Sequence, residues 1–194
     1  RIFEVANPRL HHLDVYMLEQ GELFTSFELG SSQIFLDRPI ISRNFAIPLT
    51  LKGRQTMTVF LRAESSLGVF VPLYLHQEKI FWQLAIGENI GQGLYFGILL
   101  MFVVFNLGLY LFRNAALHLI LAVDLLVFGL VYANHQGLNF QYFWPLDPQF
   151  NYLASMFFSY LVLLTANVFT WSFVNLNTEN LRSGKKEPTY IVAT

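Results

Sequence analysis

Hydrophobic and polar residues are distributed differently in the two halves of this chain. In residues 1–75, short runs that alternate apolar and polar side chains are separated by turn residues such as Gly, Asn and Pro. Alternation with a period of two is typical of strands that bury one face. We predict six strands: Arg1–Val5, Leu13–Leu18, Leu23–Phe27, Phe45–Leu51, Met57–Arg62 and Val69–Leu75. Their regular spacing favours an all-β sandwich or jelly roll.

The second half of the chain carries three long apolar segments. Leu94–Phe112 and Tyr152–Val174 contain no charged residue, and Ala115–Ala133 contains only Asp124. At about 1.5 Å per helical residue, segments of this length match a hydrocarbon core of about 30 Å. We therefore predict three membrane-spanning helices in a multi-pass protein that contacts membrane lipid.

These elements divide the chain into four parts. We predict a β-sandwich domain over residues 1–78, a juxtamembrane linker over 79–92, helices over 93–176, and a cytoplasmic loop with the possible start of a fourth helix over 177–194. The chain begins inside a predicted strand and ends inside a new apolar run. We therefore expect it to be a piece of a longer protein, with further chain at both ends.

Composition argues against several classes of function. Residues 1–92 hold eight of the twelve Lys and Arg and nine of the thirteen Asp and Glu, which leaves no basic patch for nucleic acid. The chain has no cysteine, so thiolate metal ligands and cysteine nucleophiles are excluded. His11 and His12 are adjacent, and neighbouring side chains of a strand point to opposite faces. We predict no metal site and no cofactor.

Catalytic signatures are likewise missing from the sequence. There is no glycine-rich phosphate loop and no convincing set of Ser, His and acidic residues. Acid-base catalysis requires titratable groups positioned together in a cleft, and the sequence places no two of them together. We predict that this chain is not an enzyme.

Arginine and aromatic residues of the first half form the candidate ligand site. Guanidinium groups beside aromatic rings line clefts that bind sugars or anions. We predict a ligand-binding site that includes Arg38, Arg43, Arg62, Tyr16 and Tyr74, with Trp82 near it. In the alternative interpretation, the arginines are surface charges whose aliphatic stems lie over the sandwich.

Asp124 is the most unusual residue of the predicted spans. An ionised side chain at the centre of a membrane helix costs about 2.5–3.5 kcal/mol on insertion scales, so it needs a partner or a proton. Asn106 in the first span, and Asn167 with Thr165 in the third, supply hydrogen-bonding groups. We predict a polar network of Asn106, Asp124 and Asn167 that joins the helices. Transport that uses Asp124 as a coupling carboxylate is the alternative.

Small residues recur at the approach to the first span. Gly87 and Gly91 are four positions apart, as are Gly93 and Gly97. This spacing lets two helix backbones approach closely, either within one bundle or across a homodimer. The homodimer is therefore one predicted partnership of the chain.

Lysine and arginine near the spans indicate the orientation. Arg113 lies between the first two spans, and Arg182, Lys185 and Lys186 follow the third, whereas residues 134–151 contain neither residue type. Because Lys and Arg accumulate in cytoplasmic loops, the β domain and residues 134–151 are expected outside the cytoplasm. Tyr142–Trp144 suit an interfacial anchor, with ligand binding as the competing interpretation.

Several short motifs occur in the order found in one receptor family. They are Asn7–Leu10, Leu13–Tyr16, Asp37–Pro39, Arg43, Phe60–Arg62, Ser65–Ser66, Gly93–Gly97, Phe105–Asn106, Asn134–Gly137 and Trp144–Pro145. Up to about residue 176, the chain resembles bacterial seven-transmembrane receptors with diverse intracellular signalling modules. The resemblance implies a jelly-roll sensor similar to carbohydrate-binding modules, seven helices, and a cytoplasmic output domain such as a histidine kinase or diguanylate cyclase.

This resemblance supplies the functional prediction. We expect the sensory part of a signal-transduction receptor in the bacterial inner membrane, with a small external or periplasmic ligand, a saccharide being one candidate. Three of the seven helices are predicted here, and we expect any output domain to lie outside these 194 residues. Phe105 stands where the family often has Tyr. The alternatives are a membrane-anchored adhesion or scaffold module and, less favoured, a transporter component.

Overall fold

The computed structural model describes residues 1–51, 56–65 and 68–182, with side chains as far as residue 175. Within these ranges the chain forms six strands followed by four helices. The strands are β1 (Ile2–Val5), β2 (His12–Glu19), β3 (Glu22–Leu29), β4 (Phe45–Pro48), β5 (Met57–Glu64) and β6 (Leu73–His76). All six predicted strands are present with shifted ends, and β6 is shorter than its predicted segment. The predicted class, a β domain followed by membrane helices, is confirmed.

The strands form two antiparallel sheets that share one core. One sheet has the order β4-β1-β6 and the other β3-β2-β5. Strand β2 shows why the alternating pattern predicted this fold, since Leu13, Val15 and Met17 are buried on one face. They pack in one cluster with side chains of the other sheet, including Val5 and Ile47. The β domain is therefore a sandwich.

Two glycines fix local turns of the sandwich. The β2–β3 hairpin turns at Gln20 and Gly21, whose φ angles of 52° and 91° are both positive, as two-residue hairpin loops favour. Gly30 lies where the chain leaves β3, with φ of 146°. A Cβ at Gly30 would lie 2.1 Å from the backbone oxygen of His11, so this close approach requires glycine.

Three of the four helices are long and apolar enough to cross a membrane: α1 (Glu78–Arg113), α2 (Ala116–His135) and α4 (Pro148–Arg182), whose apolar part is Pro148–Asn175. The remaining helix is the short α3 (Leu138–Tyr142). The predicted linker over 79–92 needs correction, because these residues form the first turns of α1. The predicted tail is helical to residue 182, and residues 183–194, including Lys185 and Lys186, lie outside the described residues, as does Ser66.

The ends of the helices follow ordinary capping chemistry. Helix α4 begins earlier than predicted because Asp147 caps it, its Oδ1 accepting the backbone N–H of Phe150 at 2.8 Å. Pro148 occupies the first helical position. A backbone N–H there would have no acceptor within the helix, so the lack of one in proline costs no hydrogen bond. Asn114 and Gly137 end α1 and α2 with φ of 50° and 74°, the left-handed conformation common after a helix.

The chain divides into two compact units that differ from the domains predicted from sequence. The first comprises Arg1–Tyr95 and Leu130–Phe158, and the second comprises Phe96–Gly129 with the chain from Ser159 onward. The first unit therefore contains the β sandwich, the start of α1, all of α3 and the start of α4. The polar segment between α2 and α4 is part of the same compact body as the sensor-like sheets.

The start of α1 covers the outer face of sheet β4-β1-β6. Phe81 is 3% exposed and packs with Ile2 and Ala46 in a second apolar cluster, against which Ile40 also lies. Burying a phenylalanine side chain contributes about 1.5–3 kcal/mol. This contact attaches the first turn of α1 to the sandwich.

We expect Gly30→Ala to destabilise the β domain by more than about 2 kcal/mol, because it combines a positive φ with a backbone clash. Thermal unfolding of the purified full chain in nanodiscs measures this loss. Gly21→Ala is the matched control, because Gly21 also has positive φ but its added Cβ would meet nothing within 4 Å. Equal losses in the two variants would show that crowding at His11 is unimportant.

Candidate ligand-binding cleft

A cleft of about 280 Å³ lies in the first compact unit, between the outer face of sheet β4-β1-β6 and the start of α1. The sheet contributes Glu4, Tyr74 and His76, which the strand register places side by side on one face. Helix α1 contributes Trp82 and Glu88. The segment before β4 adds Arg43 and Asn44, and α3 adds Gln141.

Glu4 is the centre of a hydrogen-bonded group on the floor of the cleft. Its Oε1 accepts a hydrogen bond of 2.7 Å from the side-chain amide of Asn44. Its Oε2 lies 3.2 Å from Nε2 of His76, and the His76 ring stacks on Tyr74 with centroids 5.7 Å apart. These groups offer donors, acceptors and an aromatic face at one place, the combination that orients small polar ligands.

Arg43 forms the opposite side of the cleft. Its Nη2 pairs with Oε2 of Glu88 on α1. Its Nη1 is buried and has no hydrogen-bond partner among the described residues. The guanidinium therefore joins the segment before β4 to α1 through Nη2, while its Nη1 stays enclosed and unpaired among the described residues.

Arg38 lies behind the cleft wall and is only 7% exposed. Its Nη1 donates hydrogen bonds of 2.9 Å to the carbonyl oxygens of Ser42 and Arg43. Its Cζ lies 4.2 Å from the ring centroid of Phe35, 4.4 Å from that of Phe45 and 5.8 Å from that of Phe140. Burial lowers the pKa of Arg38 to about 9, so the side chain stays charged at neutral pH.

The segment between α2 and α4 packs against the β sandwich through backbone and ring contacts. Phe35 donates its N–H to the carbonyl of Pro145 at 2.9 Å. The rings of Phe35 and Phe140 meet edge to face at 5.5 Å. At Gly137, an added Cβ would lie 2.9 Å from Cβ of Pro8. The α3 segment therefore adjoins the loop that carries Arg38 and Arg43.

The five residues predicted as one ligand site occupy three different places. Arg43 and Tyr74 line the cleft, and Trp82 joins them there. Arg38 is buried behind the wall. Tyr16 and Arg62 belong to the other sheet, on its outward face, where Arg62 lies 3.9 Å from Asp14 and is 76% exposed. The predicted single site is therefore wrong as a grouping.

Comparison with known protein families gives one match in each half of the chain. A family model described as 7TMR-DISM extracellular 2 matches residues 1–77, and one described as 7TM diverse intracellular signalling matches residues 88–192, more than half of the chain. The chain belongs to this receptor family. No curated protein and no solved structure matches it. The resemblance drawn from the motifs is confirmed, and the receptor is a membrane protein with a sensory, signalling role.

Both matched regions of this receptor contribute to the cleft. Glu4, Arg43 and His76 come from the first matched region, and Glu88 and Gln141 come from the second. Sequence reasoning missed Glu4, Asn44, His76 and Glu88. Tyr74 and His76 are two positions apart in β6 and therefore share one face of that strand. The pairing of β1 with β6 then places Glu4 beside them, and the sequence pattern alone does not give this pairing.

The second compact unit contains polar pairs within the apolar helices. Thr165 donates its hydroxyl to Oδ1 of Asp124 at 2.7 Å, which links α2 and α4. Asn106 lies 3.3 Å from Nδ1 of His118 and links α1 to the start of α2. Asn167 donates at 2.7 Å to Leu163 of its own helix. The structure therefore has two separate pairs where the sequence predicted one network. His118 was missed because it lies near the N-terminal end of its apolar segment.

The glycines near the start of α1 form two pairs, Gly87 with Gly91 and Gly93 with Gly97, and each pair lies on an open side of the helix. A Cβ added at Gly87, Gly91, Gly93 or Gly97 would meet nothing within 4 Å among the described residues. Close approach of a second helix at these positions stays a prediction, both for packing within one bundle and for a homodimer.

We expect Arg38→Ala to lower the free energy of unfolding by about 2–4 kcal/mol, because it opens a cavity among three rings and leaves two buried carbonyls without their donor. Calorimetry of the full chain in nanodiscs measures the change. Arg62→Ala is the matched control and should stay within about 0.5 kcal/mol. Similar losses in the two variants would contradict a structural role for Arg38.

We expect Thr165→Val to weaken the helical unit by about 0.5–1.5 kcal/mol, since it removes the partner of Asp124 inside the membrane. A double-mutant cycle with Asp124→Leu, measured by unfolding in mixed detergent micelles, isolates the interaction free energy of Asp124 and Thr165. Thr170→Val is the control, because among the described residues Thr170 bonds to Ala166 of its own helix and to no other helix. Strictly additive losses at Asp124 and Thr165 would show that the pair is not coupled.

Proposed function

We propose that the chain is the ligand-sensing part of a bacterial inner-membrane receptor, with its β domain outside the cytoplasm. A small external ligand binds in the cleft, and binding changes the packing of the helices that follow. The chain binds and relays, and it does not itself catalyse a reaction. An output domain on the cytoplasmic side converts the change into a signal.

The makeup of the cleft carries this proposal. A ligand there contacts the sheet through Glu4, α1 through Trp82 and α3 through Gln141. Helix α1 runs without a break from this cleft to Arg113. A ligand in the cleft therefore contacts a helix that enters the membrane. It shifts the packing of that helix provided that it binds more tightly to one of two helix arrangements.

The distribution of positive charge supports the orientation. Arg113 follows the first span, and residues 134–151 contain no Lys or Arg. Since cytoplasmic loops are enriched in these residues, the β domain and α3 are assigned to the outer side. A homodimer through one of the two glycine pairs of α1 is compatible with this arrangement.

The chemistry of the cleft supports a saccharide as the ligand. Trp82 and Tyr74 present ring faces, 44% and 50% exposed, on which the apolar face of a sugar ring can lie. Glu4, Asn44 and His76 supply the acceptors and donors that sugar hydroxyl groups require. The resemblance of the family's sensors to carbohydrate-binding modules agrees with this assignment.

We expect the full chain in nanodiscs to bind a subset of an array of bacterial and host glycans, and Trp82→Ala to reduce that binding at least about tenfold, equivalent to about 1.4 kcal/mol. Tyr16→Ala is the matched control, an aromatic truncation on the other sheet. Binding lost in Tyr16→Ala and kept in Trp82→Ala would move the site to that sheet. An absence of binding across the array would argue against a saccharide ligand.

A further inference from the structure

Only one nitrogen of the Arg43 guanidinium has a hydrogen-bond partner among the described residues. Its side chain is 13% exposed, its Nη2 pairs with Glu88, and its Nη1 is buried with no partner among the described residues. A guanidinium presents two parallel N–H groups that match the two oxygens of a carboxylate. Leaving one buried donor unpaired has a cost that a second acceptor oxygen would remove.

Glu88 is a weak occupant of this position. Its side chain is 54% exposed, and it reaches Arg43 through one oxygen and one nitrogen only. Exposed ion pairs contribute about 0–1 kcal/mol, so Glu88 can exchange this contact for water at little cost. A carboxylate that replaced Glu88 could bind both Nη atoms of Arg43, whereas Glu88 binds one of them.

We propose that the cleft binds a carboxylate-bearing sugar, of the hexuronic acid class, and that Glu88 is a displaceable stand-in for the ligand's carboxylate. This inference rests on the proposed function. The incoming acid takes the place of the Glu88 carboxylate at Nη2, and the departure of Glu88 into solvent opens the enclosed Nη1 to the second oxygen of the acid. One carboxylate replaces another, so the charge beside Arg43 does not change.

The remaining walls of the cleft suit the rest of such a ligand. Trp82 and Tyr74 receive the face of the sugar ring, and Glu4 with its partners Asn44 and His76 receives the hydroxyl groups. The cleft, at about 280 Å³, is near the lower limit of about 300 Å³ for ligand pockets, which favours a single ring.

Displacement of Glu88 also changes how α1 is held. Phe81 and Glu88 lie two turns apart on one face of the helix, and they contact the sandwich through an apolar cluster and an ion pair respectively. The ligand breaks only the second contact. Recognition of the acid and release of α1 at Glu88 are then the same event, with Phe81 still attached.

The test is calorimetric titration of the full chain in nanodiscs with two acid and neutral pairs: galacturonate with galactose, and glucuronate with glucose. We expect at least one acid to bind about tenfold or more tightly than its neutral partner, the equivalent of about 1.4 kcal/mol. Arg43→Gln and Arg43→Lys should both abolish this preference, since lysine keeps the charge and loses the fork.

Glu88→Gln tests the displacement itself. Because it removes the competing carboxylate, it should tighten acid binding several-fold and so increase the preference for the acid over its neutral partner. Glu28→Gln, an exposed carboxylate of the other sheet, is the matched control and should change neither. Weaker acid binding in Glu88→Gln would overturn the displacement, because Glu88 would then be a ligand contact.

The outcomes separate this inference from the function on which it rests. Equal affinity for acid and neutral sugars, with both lost in Trp82→Ala, would overturn the acid class and keep a saccharide sensor that uses the cleft. Binding insensitive to both Trp82→Ala and Arg43→Gln would overturn both. No binding of any of the four sugars would overturn the acid-sugar assignment alone, because the saccharide sensor is tested by the glycan array. Circular dichroism of each variant confirms that the fold persists.

Discussion

The buried guanidinium of Arg38 is the constraint on which the cleft depends. Removing a cation from water is expensive unless the surroundings replace its hydration. Here two backbone carbonyls and three aromatic rings do so. Because those groups belong to the loop before β4, to the sandwich core and to α3, satisfying one charge holds all three elements together. The walls formed by Arg43 and Gln141 take their positions from this contact.

The same arrangement explains why the sensor and the membrane region are not separable at the boundary between the two matched regions. Residues of the first matched region, 1–77, and of the second, 88–192, line the same cleft. The polar segment before α4 also packs against the sandwich, in one compact unit. A division of the chain at residue 78 would remove α1 and α3 from the cleft and expose Phe81's partners Ile2 and Ala46 to water.

Much of the fold was predictable because its signals are local. The alternation in β2 indicates which positions face the core, and the uncharged segment of α1 indicates a helix that suits a membrane. The site was less predictable because it depends on pairing between distant residues, such as Glu4 with His76. Arg38 and Arg43 are five positions apart and look alike in sequence, yet one is enclosed by rings and the other faces the cleft. Residues 79–92 were predicted as a linker because they precede the long uncharged run, and only the packing of Phe81 on Ile2 and Ala46 shows that the helix already begins here.

Helix α1 has a mechanical property that follows from its length and continuity. It has 36 residues, so at about 1.5 Å per residue it is a rod of about 54 Å, well beyond the hydrocarbon thickness of about 30 Å. The uncharged segment Leu94–Phe112 already suits that thickness, so residues 78–93 continue the same helix beyond the hydrocarbon core. The β domain is therefore joined to the first span by continuous helix and not by a flexible connector.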